Sequence, residues 1–215
     1  MHTVVPPVKL SYTVMVAAVA SVTVTVTLTV PAVAGSNTVT VPAGTGTVAV
    51  QGVSTNIVSG TAVASTSGTS IDFTSIPSWV KRITVLFQSV STGTASNPPL
   101  AFLLGTSGGF ASSGYLTSTG SISGAGAVNT VSNITTNFQF IQPSSAANSA
   151  HGKIVFENIS GNIWVGTGSL AQSDVGRLSW VTGSITLSGV LDRVRMTTVG
   201  GTDSFDAGSI NIQYE

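Results

Sequence analysis

The segment Gly105-Thr106-Ser107-Gly108-Gly109 matches the G-x-S-x-G pattern that surrounds the nucleophilic serine of many esterases. In those enzymes the serine lies between a strand and a helix, and the backbone there helps to form the oxyanion hole. An apolar strand precedes Ser107, but the residues from Phe110 to Gly114 show no helical pattern. In a chain with 24 glycines a chance match is common, so we interpret this segment as a turn.

His151 is the one histidine beyond the N-terminal tip, so any Ser/His or metal-based site would depend on it alone. A zinc site takes three or four ligands from cysteine, histidine and carboxylate side chains, and this chain has no cysteine. We therefore interpret His151 as the residue that begins a strand after the loop at 144–150.

Asp192, Asp203 and Asp206 are the candidates for carboxylate chemistry. Two neighbouring carboxylates can act as acid and base in glycoside hydrolysis, and several such oxygens can bind calcium. Asp192 precedes Arg193, which favours an ion pair, while Asp203 and Asp206 fall in a glycine-rich loop where aspartates fix turns. We expect structural roles for all three, and hence no catalytic residue, no metal and no cofactor.

Aromatic residues beside amides and hydroxyls are what a saccharide ligand needs, and Trp79, Trp164, Trp180 and Tyr115 are candidates for such a surface. A single tryptophan in a β-strand usually packs in the core or at a subunit interface, so we predict core positions for Trp79 and Trp164. Trp180 follows Arg177 in a predicted loop. Trp180, Tyr115 and Arg177 are therefore the candidate ligand contacts.

Strands are the elements that must position these residues. The clearest strand pattern, in which apolar residues alternate with threonine, lies near the N-terminus. Between Thr13 and Val30, valine or leucine occupies most even positions and threonine most odd ones, which predicts a strand with one apolar and one hydroxyl face. A long strand without charge tends to associate edge to edge unless partners cover it. A signal peptide ending at Ala32-Val33-Ala34 and a transmembrane helix are alternatives, but Pro6, Pro7 and the regular threonines favour β structure.

Composition favours burial against other proteins. Charged residues make up 7% of the 215-residue chain, against roughly 25% in ordinary soluble domains. Seven basic and seven acidic side chains cancel, so the chain has no electrostatic signature of nucleic-acid binding or of an anionic membrane surface. We expect neither nucleic acid nor membrane insertion.

Charge and strand patterns predict the domain organisation. After Lys9 the next acidic or basic side chain is Asp72, and a Ser/Gly/Thr-rich stretch lies just before it. We predict an all-β fold with an N-terminal Thr/Val-rich β region at 1–60, a linker at 61–70 and a β-sandwich (jelly-roll-like) module at 71–215. The segment from Gly105 to Ala127 is expected to form long loops with one short strand. The main strands of the module are predicted at Lys81–Val90, Pro99–Leu104, Thr136–Ile141, Gly152–Glu157, Asn162–Gly166, Ser184–Ser188, Arg193–Thr198 and Gly208–Tyr214.

Residues 71–215, about two-thirds of the chain, resemble a module found in tail-fibre and other virion proteins of tailed bacteriophages. The segments that carry the resemblance are Ile71-Asp72-Phe73, Ile76-Pro77-Ser78-Trp79-Val80-Lys81-Arg82-Ile83, Leu104-Gly105-Thr106-Ser107-Gly108-Gly109, Gly114-Tyr115, His151-Gly152, Asn162-Ile163-Trp164-Val165, Leu187 to Arg195 and Gly201 to Ile212.

This resemblance implies a β-rich, homotrimeric module on the exterior of a virion, and with no catalytic residue expected we interpret the protein as a non-enzymatic structural component. Residues 1–70 lie outside the resemblance, and 1–60 are the candidates for contact with other virion proteins. Loops of the module would be available to a host surface glycan or protein. The alternatives are a capsid decoration or head-fibre protein and, from a different class, a tailspike polysaccharide depolymerase.

Overall fold

Short alternating segments separated by glycine-rich turns make this chain a β protein. The computed structural model describes residues 57–93, 98–141, 148–172 and 174–215. Within these ranges the chain forms two antiparallel sheets and no helix, so the predicted all-β class is confirmed. No helix of the described residues could cross a membrane.

The strands are β1 Val58–Ser59, β2 Val63–Ala64, β3 Ser70–Phe73, β4 Arg82–Thr92, β5 Leu100–Thr106, β6 Gly109–Phe110, β7 Tyr115–Ser123, β8 Val128–Ile134, β9 Phe138–Gln139, β10 Ala150–Ser160, β11 Ile163–Gln172, β12 Arg177–Thr186, β13 Arg193–Thr198 and β14 Phe205–Tyr214.

The larger sheet has the strand order β1-β14-β4-β10-β11-β12-β7-β8, and β2 also pairs with β14. Its centre is a meander of three long strands, β10, β11 and β12. The turn between β10 and β11 begins at Gly161, whose φ of 51° is in the left-handed region that glycine adopts without strain.

The smaller sheet has the order β3-β13-β5-β6, with β9 also on β5. Strand β13 lies at its centre and pairs with β3 through Arg195 and Asp72 and with β5 through Arg195 and Leu103. These three residues therefore stand side by side on one face of the sheet, because directly opposed residues point the same way.

The two sheets pack face to face through aromatic side chains. Phe87 of the larger sheet lies 5.8 Å from Phe102 of the smaller one, and Phe156 lies 5.2 Å from Phe138, between ring centroids. Phe102, Phe138 and Phe156 have no exposed surface, and burying each contributes about 1.5–3 kcal/mol. The described part of the module is thus a sandwich, as predicted.

The predicted linker at 61–70 is wrong in part. Strand β2 lies within it and pairs with Ser209 and Ile210 of β14. Ser65 is fully buried and donates a hydrogen bond to the carbonyl of Ala207 at 2.8 Å. This segment therefore belongs to the edge of the larger sheet. The predicted strand at 13–30 and most of the region at 1–60 lie outside the described residues.

The prediction of long loops from Gly105 to Ala127 is also wrong. The segment contains the nine-residue strand β7 and the short hairpin strand β6. Strand β8 then follows, where no strand was expected. Serine, threonine and glycine obscured the alternation in β7, because here the hydroxyl side chains point inward, as described below.

Candidate functional site

Strand β7 and the start of β12 have the reverse of the usual sheet pattern, although Val181 and Ile185 further along β12 face the core. On β7 the buried positions include Thr117, Thr119 and Ser121, while Leu116 is 72% exposed. On β12, Ser179 is fully buried and its neighbour Leu178 is 49% exposed. In most sheets the apolar residues face the core and the polar ones face water. This sheet instead presents apolar side chains outward along two adjacent strands.

Hydrogen bonds to the backbone make the inward hydroxyls tolerable. Thr119 Oγ1 donates to the carbonyl of Trp180 at 2.7 Å, and Ser179 Oγ donates to the carbonyl of Gly120 at 3.0 Å. Thr117 Oγ1 donates to the carbonyl of Asn137 at 2.8 Å. A buried hydroxyl without such a partner would destabilise the fold by about 1–3 kcal/mol.

Trp180 is the largest outward side chain of this region, and it is 42% exposed. Its cross-strand partner is Gly120 on β7. A Cβ atom placed on Gly120 would lie 2.5 Å from Cζ2 and 2.6 Å from Cε2 of the indole. The ring therefore occupies the space above Gly120, and glycine is needed there for close approach rather than for backbone freedom.

A row of apolar residues crosses four strands beside this tryptophan. Register pairs Ala171 with Leu178, Leu178 with Ile122, and Ile122 with Val128. Directly opposed Cβ atoms lie about 4.5–5.5 Å apart, so these side chains touch along the row. We call the apolar half-face the outward surface formed by Leu116, Ile122, Val128, Leu178 and Trp180, whose exposed fractions range from 39% to 72%.

Charged residues lie on the other half of the same sheet. Arg82 forms ion pairs with Glu157, at 3.7 Å, and with Glu215. Lys153 is also exposed on β10. By contrast, the four strands β11, β12, β7 and β8 contain one charged residue, Arg177. The outer surface is therefore divided into a charged half and an apolar half.

The apolar half-face reaches a free edge of the sheet. Strand β8 pairs with β7 on one side and with no strand on the other among the residues described. Its sequence, from Val128 to Ile134, contains no charge and no proline. Charged residues and proline are the usual features that block edge-to-edge pairing. Because β8 has neither, its edge can form backbone hydrogen bonds with another strand.

The structure places the three predicted ligand contacts in different environments. Trp180 is on the exposed face, but it lies within β12 and not in the predicted loop. Arg177 begins the same strand, is partly exposed, and donates through Nη1 to Ser121 Oγ at 3.0 Å. Trp180 is thus available to a partner on the outer face, whereas Arg177 lies on the inner side at the end of the sheet, beside the buried Ser121.

Tyr115 was wrongly predicted as a ligand contact, because it is completely buried. Its hydroxyl donates to the carbonyl of Ala111 at 3.1 Å and accepts from the N–H of Leu104 at 3.0 Å. Burial raises the pKa of Tyr115 to about 12, and the hydrogen bond from Leu104 opposes part of that rise. Tyr115 therefore fastens β7 to β5 across the sandwich.

The two tryptophans predicted in the core differ. Trp164 is 3% exposed, which confirms the prediction. Trp79 is 54% exposed, so the prediction is wrong for it. The buried residues of its segment are the flanking Ile76 and Val80, and the Trp79 ring instead packs against Tyr214 with centroids 5.9 Å apart.

The esterase-like segment is a turn, as interpreted from the sequence. Thr106 pairs with Gly109, so Ser107 and Gly108 form the two-residue loop of the hairpin between β5 and β6. Gly109 has a φ of 138°, and the N–H of Gly108 bonds to Thr106 Oγ1 at 3.3 Å. The Ser107 carbonyl accepts a hydrogen bond from Arg193 at 3.1 Å.

His151 has a structural role in a distorted part of the larger sheet. It lies one residue after the start of β10, where the register with β4 shifts between Ala150 and Gly152. Its Nδ1 accepts a hydrogen bond from the backbone N–H of Ser89 at 3.3 Å, and Ser89 has a φ of 53°. His151 thus partners a backbone group that the irregular ladder leaves free.

The three aspartates each have their own structural partner. Asp192 forms an ion pair with Arg193 at 2.9 Å, as its position in the sequence suggested. Asp203 Oδ2 accepts from Thr198 Oγ1 at 3.1 Å, and Asp206 accepts a short hydrogen bond from Ser91. Across the described ranges, no three histidine or carboxylate side chains cluster in a way that could hold a metal ion.

Sequence reasoning missed Leu116, Ile122, Val128 and Leu178 as functional candidates. A signal existed in the segment from Leu116 to Ile122, LTSTGSI, where apolar or small residues alternate with hydroxyls. Alternation alone did not tell which face would be buried. No protein-family model, no curated protein and no solved structure matches this chain.

Proposed function

We propose that this protein is a non-enzymatic structural component on the exterior of a bacteriophage particle. It forms a fibre or appendage in which copies of the chain, three by the resemblance of residues 71–215, associate through the apolar half-face. Residues 1–60 contact other virion proteins. The exposed loops and grooves of the module remain available for contact with the host surface.

The single observation that carries this proposal is the reversed pattern of β7 and of the start of β12. Leu116, Leu178 and Trp180 are exposed in the isolated chain, while serine and threonine occupy core-facing positions beside them. Exposed large apolar side chains grouped on one face are typical of a protein-binding site. Tryptophan at the centre, with charge excluded from the surface around it, is the composition found at the buried centre of protein interfaces.

A second copy of the chain is the partner that best fits this surface. The apolar half-face carries no charge that a different partner would have to complement, and it continues into the open edge of β8. A threefold axis beside this face would gather the apolar half-faces of three copies around it, with each copy contacting its two neighbours through different parts of the surface. An assembly that also pairs or covers the β8 edge would remove the aggregation hazard of that edge.

The resemblance to tailed-phage virion proteins supports the location on a particle. The scarcity of charge supports it too, because hydroxyls and amides keep their hydrogen bonds when salt screens ionic interactions. The described residues offer no feature that favours the depolymerase alternative, since Asp192, Asp203 and Asp206 are each engaged in separate structural contacts. The decoration or head-fibre protein differs from a tail fibre only in its place of attachment.

Two measurements test the proposal. Immunogold electron microscopy of purified particles, with an antibody against the chain, is expected to label the outside; antibody absorbed with the purified protein is the control. Sedimentation of the purified full chain is expected to give a discrete oligomer. Absence of label on intact particles contradicts the virion assignment, and a stable monomer at high concentration contradicts the assembly. Label on the head rather than the tail selects the decoration protein.

A further inference from the structure

The outer face of the smaller sheet carries a groove of about 350 Å³, on the opposite side of the sandwich from the apolar half-face. This volume is near the lower end of the roughly 300–1,000 Å³ range of small-molecule sites. Its apolar floor is formed by the partly exposed Leu103 on β5, while Ala101, which also lines the groove, is buried. Hydroxyl groups surround that floor, among them those of Ser70, Ser112 and Thr197.

One cation, Arg195, lines the groove, and its position is fixed by two neighbours. Its Nε and Nη2 donate to the two carboxylate oxygens of Asp72 at 2.7 and 2.6 Å. The ring of Phe110 lies against the guanidinium, with 4.2 Å between Cζ and the ring centroid. These contacts hold the planar group in one orientation and restrict the rotamers it would otherwise sample.

Two polar groups in the groove wall have hydrogen-bonding capacity to spare. The bonds to Asp72 leave Nη1 of Arg195 without an acceptor in the part of the chain that the structure describes. Asn137 is 6% exposed; its Nδ2 donates to Thr136 Oγ1 at 3.1 Å, while its buried Oδ1 has no partner among the described residues. Exchanging the two amide atoms would only move the unpaired atom to nitrogen. Arg195 Nη1 is the one of these two groups that a ligand can reach, because the Arg195 side chain is one-third exposed while Oδ1 of Asn137 is buried.

The charge of the groove selects the chemical class of its ligand. Asp72 neutralises Arg195 at hydrogen-bonding distance, so an anion entering the groove would meet a carboxylate next to the guanidinium. An apolar ligand would leave the hydroxyls and Nη1 unpaired. A neutral sugar ring satisfies both conditions, because its hydroxyls both donate and accept and its C–H face can rest on Leu103.

We infer that this groove is a binding site for a neutral saccharide, in which Arg195 Nη1 donates to a sugar oxygen. The source of the saccharide, a host-surface glycan, rests on the proposed function; the binding itself does not. The site is distinct from Trp180 and Arg177, which lie on the larger sheet. The module thus uses one sheet for assembly and the other for ligand.

Saturation-transfer NMR on the full chain tests the site directly. The probes are D-glucose, D-galactose, L-rhamnose and N-acetyl-D-glucosamine, with D-glucuronate and inorganic phosphate as charged comparisons. Ser112→Trp fills the groove with an indole, and Ser113→Trp places the same ring on the adjacent exposed residue that does not line it. Arg195→Met removes the donors but keeps an unbranched side chain beside Phe110.

We expect at least one neutral sugar to bind the native chain and the Ser113→Trp variant alike. Ser112→Trp is expected to abolish that signal, and Arg195→Met to weaken the affinity at least about tenfold, the loss expected for a hydrogen bond to a charged donor. Thermal unfolding of each variant shows that the sandwich is intact. The inference is overturned if no neutral probe binds, if Ser112→Trp and Ser113→Trp behave alike, or if the charged probes bind better. None of these outcomes depends on particle labelling or on oligomeric state, so the proposed function is judged separately.

Discussion

The indole of Trp180 lies over Gly120, its directly opposed partner on the adjacent strand, so closely that a methyl group on Gly120 would be 2.5 Å from the ring. A flat tryptophan over a glycine shields the backbone of β7 from water. It also provides a broad, rigid apolar surface at the centre of the apolar half-face. Hot spots of protein interfaces commonly have such an aromatic residue at their centre.

Replacing Gly120 by alanine should move Trp180 without unfolding the protein. The atoms that a new Cβ would meet belong to an exposed side chain, which can rotate. The expected loss in the free energy of unfolding is about 0.5–1.5 kcal/mol, the cost of an unfavourable rotamer. A changed tryptophan emission spectrum reports the movement, and the same substitution in a Trp180→Leu background should leave emission unchanged.

Gly183→Ala is the matched contrast to Gly120→Ala. Its Cβ would come 2.6 Å from the Cα of Thr117 and close to the carbonyl oxygen of Leu116, and backbone cannot rotate aside. We expect a loss at or above the upper end of the roughly 1–3 kcal/mol that overpacking costs. Urea unfolding of both variants at one protein concentration makes the comparison. Equal losses for the two variants would contradict the placement of the Trp180 ring.

Introducing a charge into the apolar half-face should dissociate the oligomer. Leu178→Glu places a carboxylate in the row between Ala171 and Ile122, where association would have to desolvate it. We expect the dissociation constant, measured by sedimentation equilibrium, to rise at least about tenfold, since interface hot spots exceed about 2 kcal/mol.

The control for this variant is Gln88→Glu. Gln88 is exposed on β4, in the half of the same sheet that already carries Arg82 and Lys153. It adds the same carboxylate, so the oligomer should persist. If both variants dissociate, or if neither does, the assembly surface lies elsewhere.

The buried hydroxyl groups should stabilise the fold measurably, although they occupy core-facing positions where most sheets have apolar side chains. Thr119→Val removes the donor to the Trp180 carbonyl while keeping the shape of the side chain. We expect the free energy of unfolding to fall by about 1 kcal/mol, because the lost hydrogen bond outweighs the added apolar group. Thr182→Val makes the same chemical change at an exposed position of β12 and should alter stability by less than about 0.5 kcal/mol. A more stable Thr119→Val protein would show that its hydroxyl is not needed.

The sequence predicts the all-β class and most strands whose apolar residues face the core. Alternation is plain in β4, where Ile83, Val85 and Phe87 are all buried. It also predicts the structural roles of Ser107 and Asp192, because glycine-rich turns and adjacent opposite charges act locally. Such features need no knowledge of which strands become neighbours.

What the sequence does not predict are the properties that depend on neighbouring strands. In β7, Thr117 and Thr119 can be buried only because backbone carbonyls of distant segments accept their hydrogen bonds. Tyr115 was misplaced for the same reason, since its partner Leu104 is on the other sheet. Trp79 was misplaced because the turn between Ile76 and Val80 directs it outward. Each error concerns a contact that the local pattern does not contain.

Alkaline pH should destabilise the protein through Tyr115. Burial raises the pKa of this phenol from 10 in a model peptide to about 12 in the folded chain, so between these pH values the unfolded chain releases a proton that the folded chain retains. The unfolded state then binds fewer protons, and the free energy of unfolding falls as pH rises through this window. The stabilisation is fully present below pH 10, and about 2–3 kcal/mol is lost by pH 12, at 1.36 kcal/mol per pKa unit. Urea unfolding across this range, compared with Tyr115→Phe at each pH, isolates the effect of this phenol from every other pH-dependent change. The difference between the two proteins should shrink steadily as pH rises, and the tyrosinate absorbance that the native protein shows beyond that of Tyr115→Phe should appear only on unfolding. A difference that stays constant across the window would mean that the Tyr115 phenol is accessible to water.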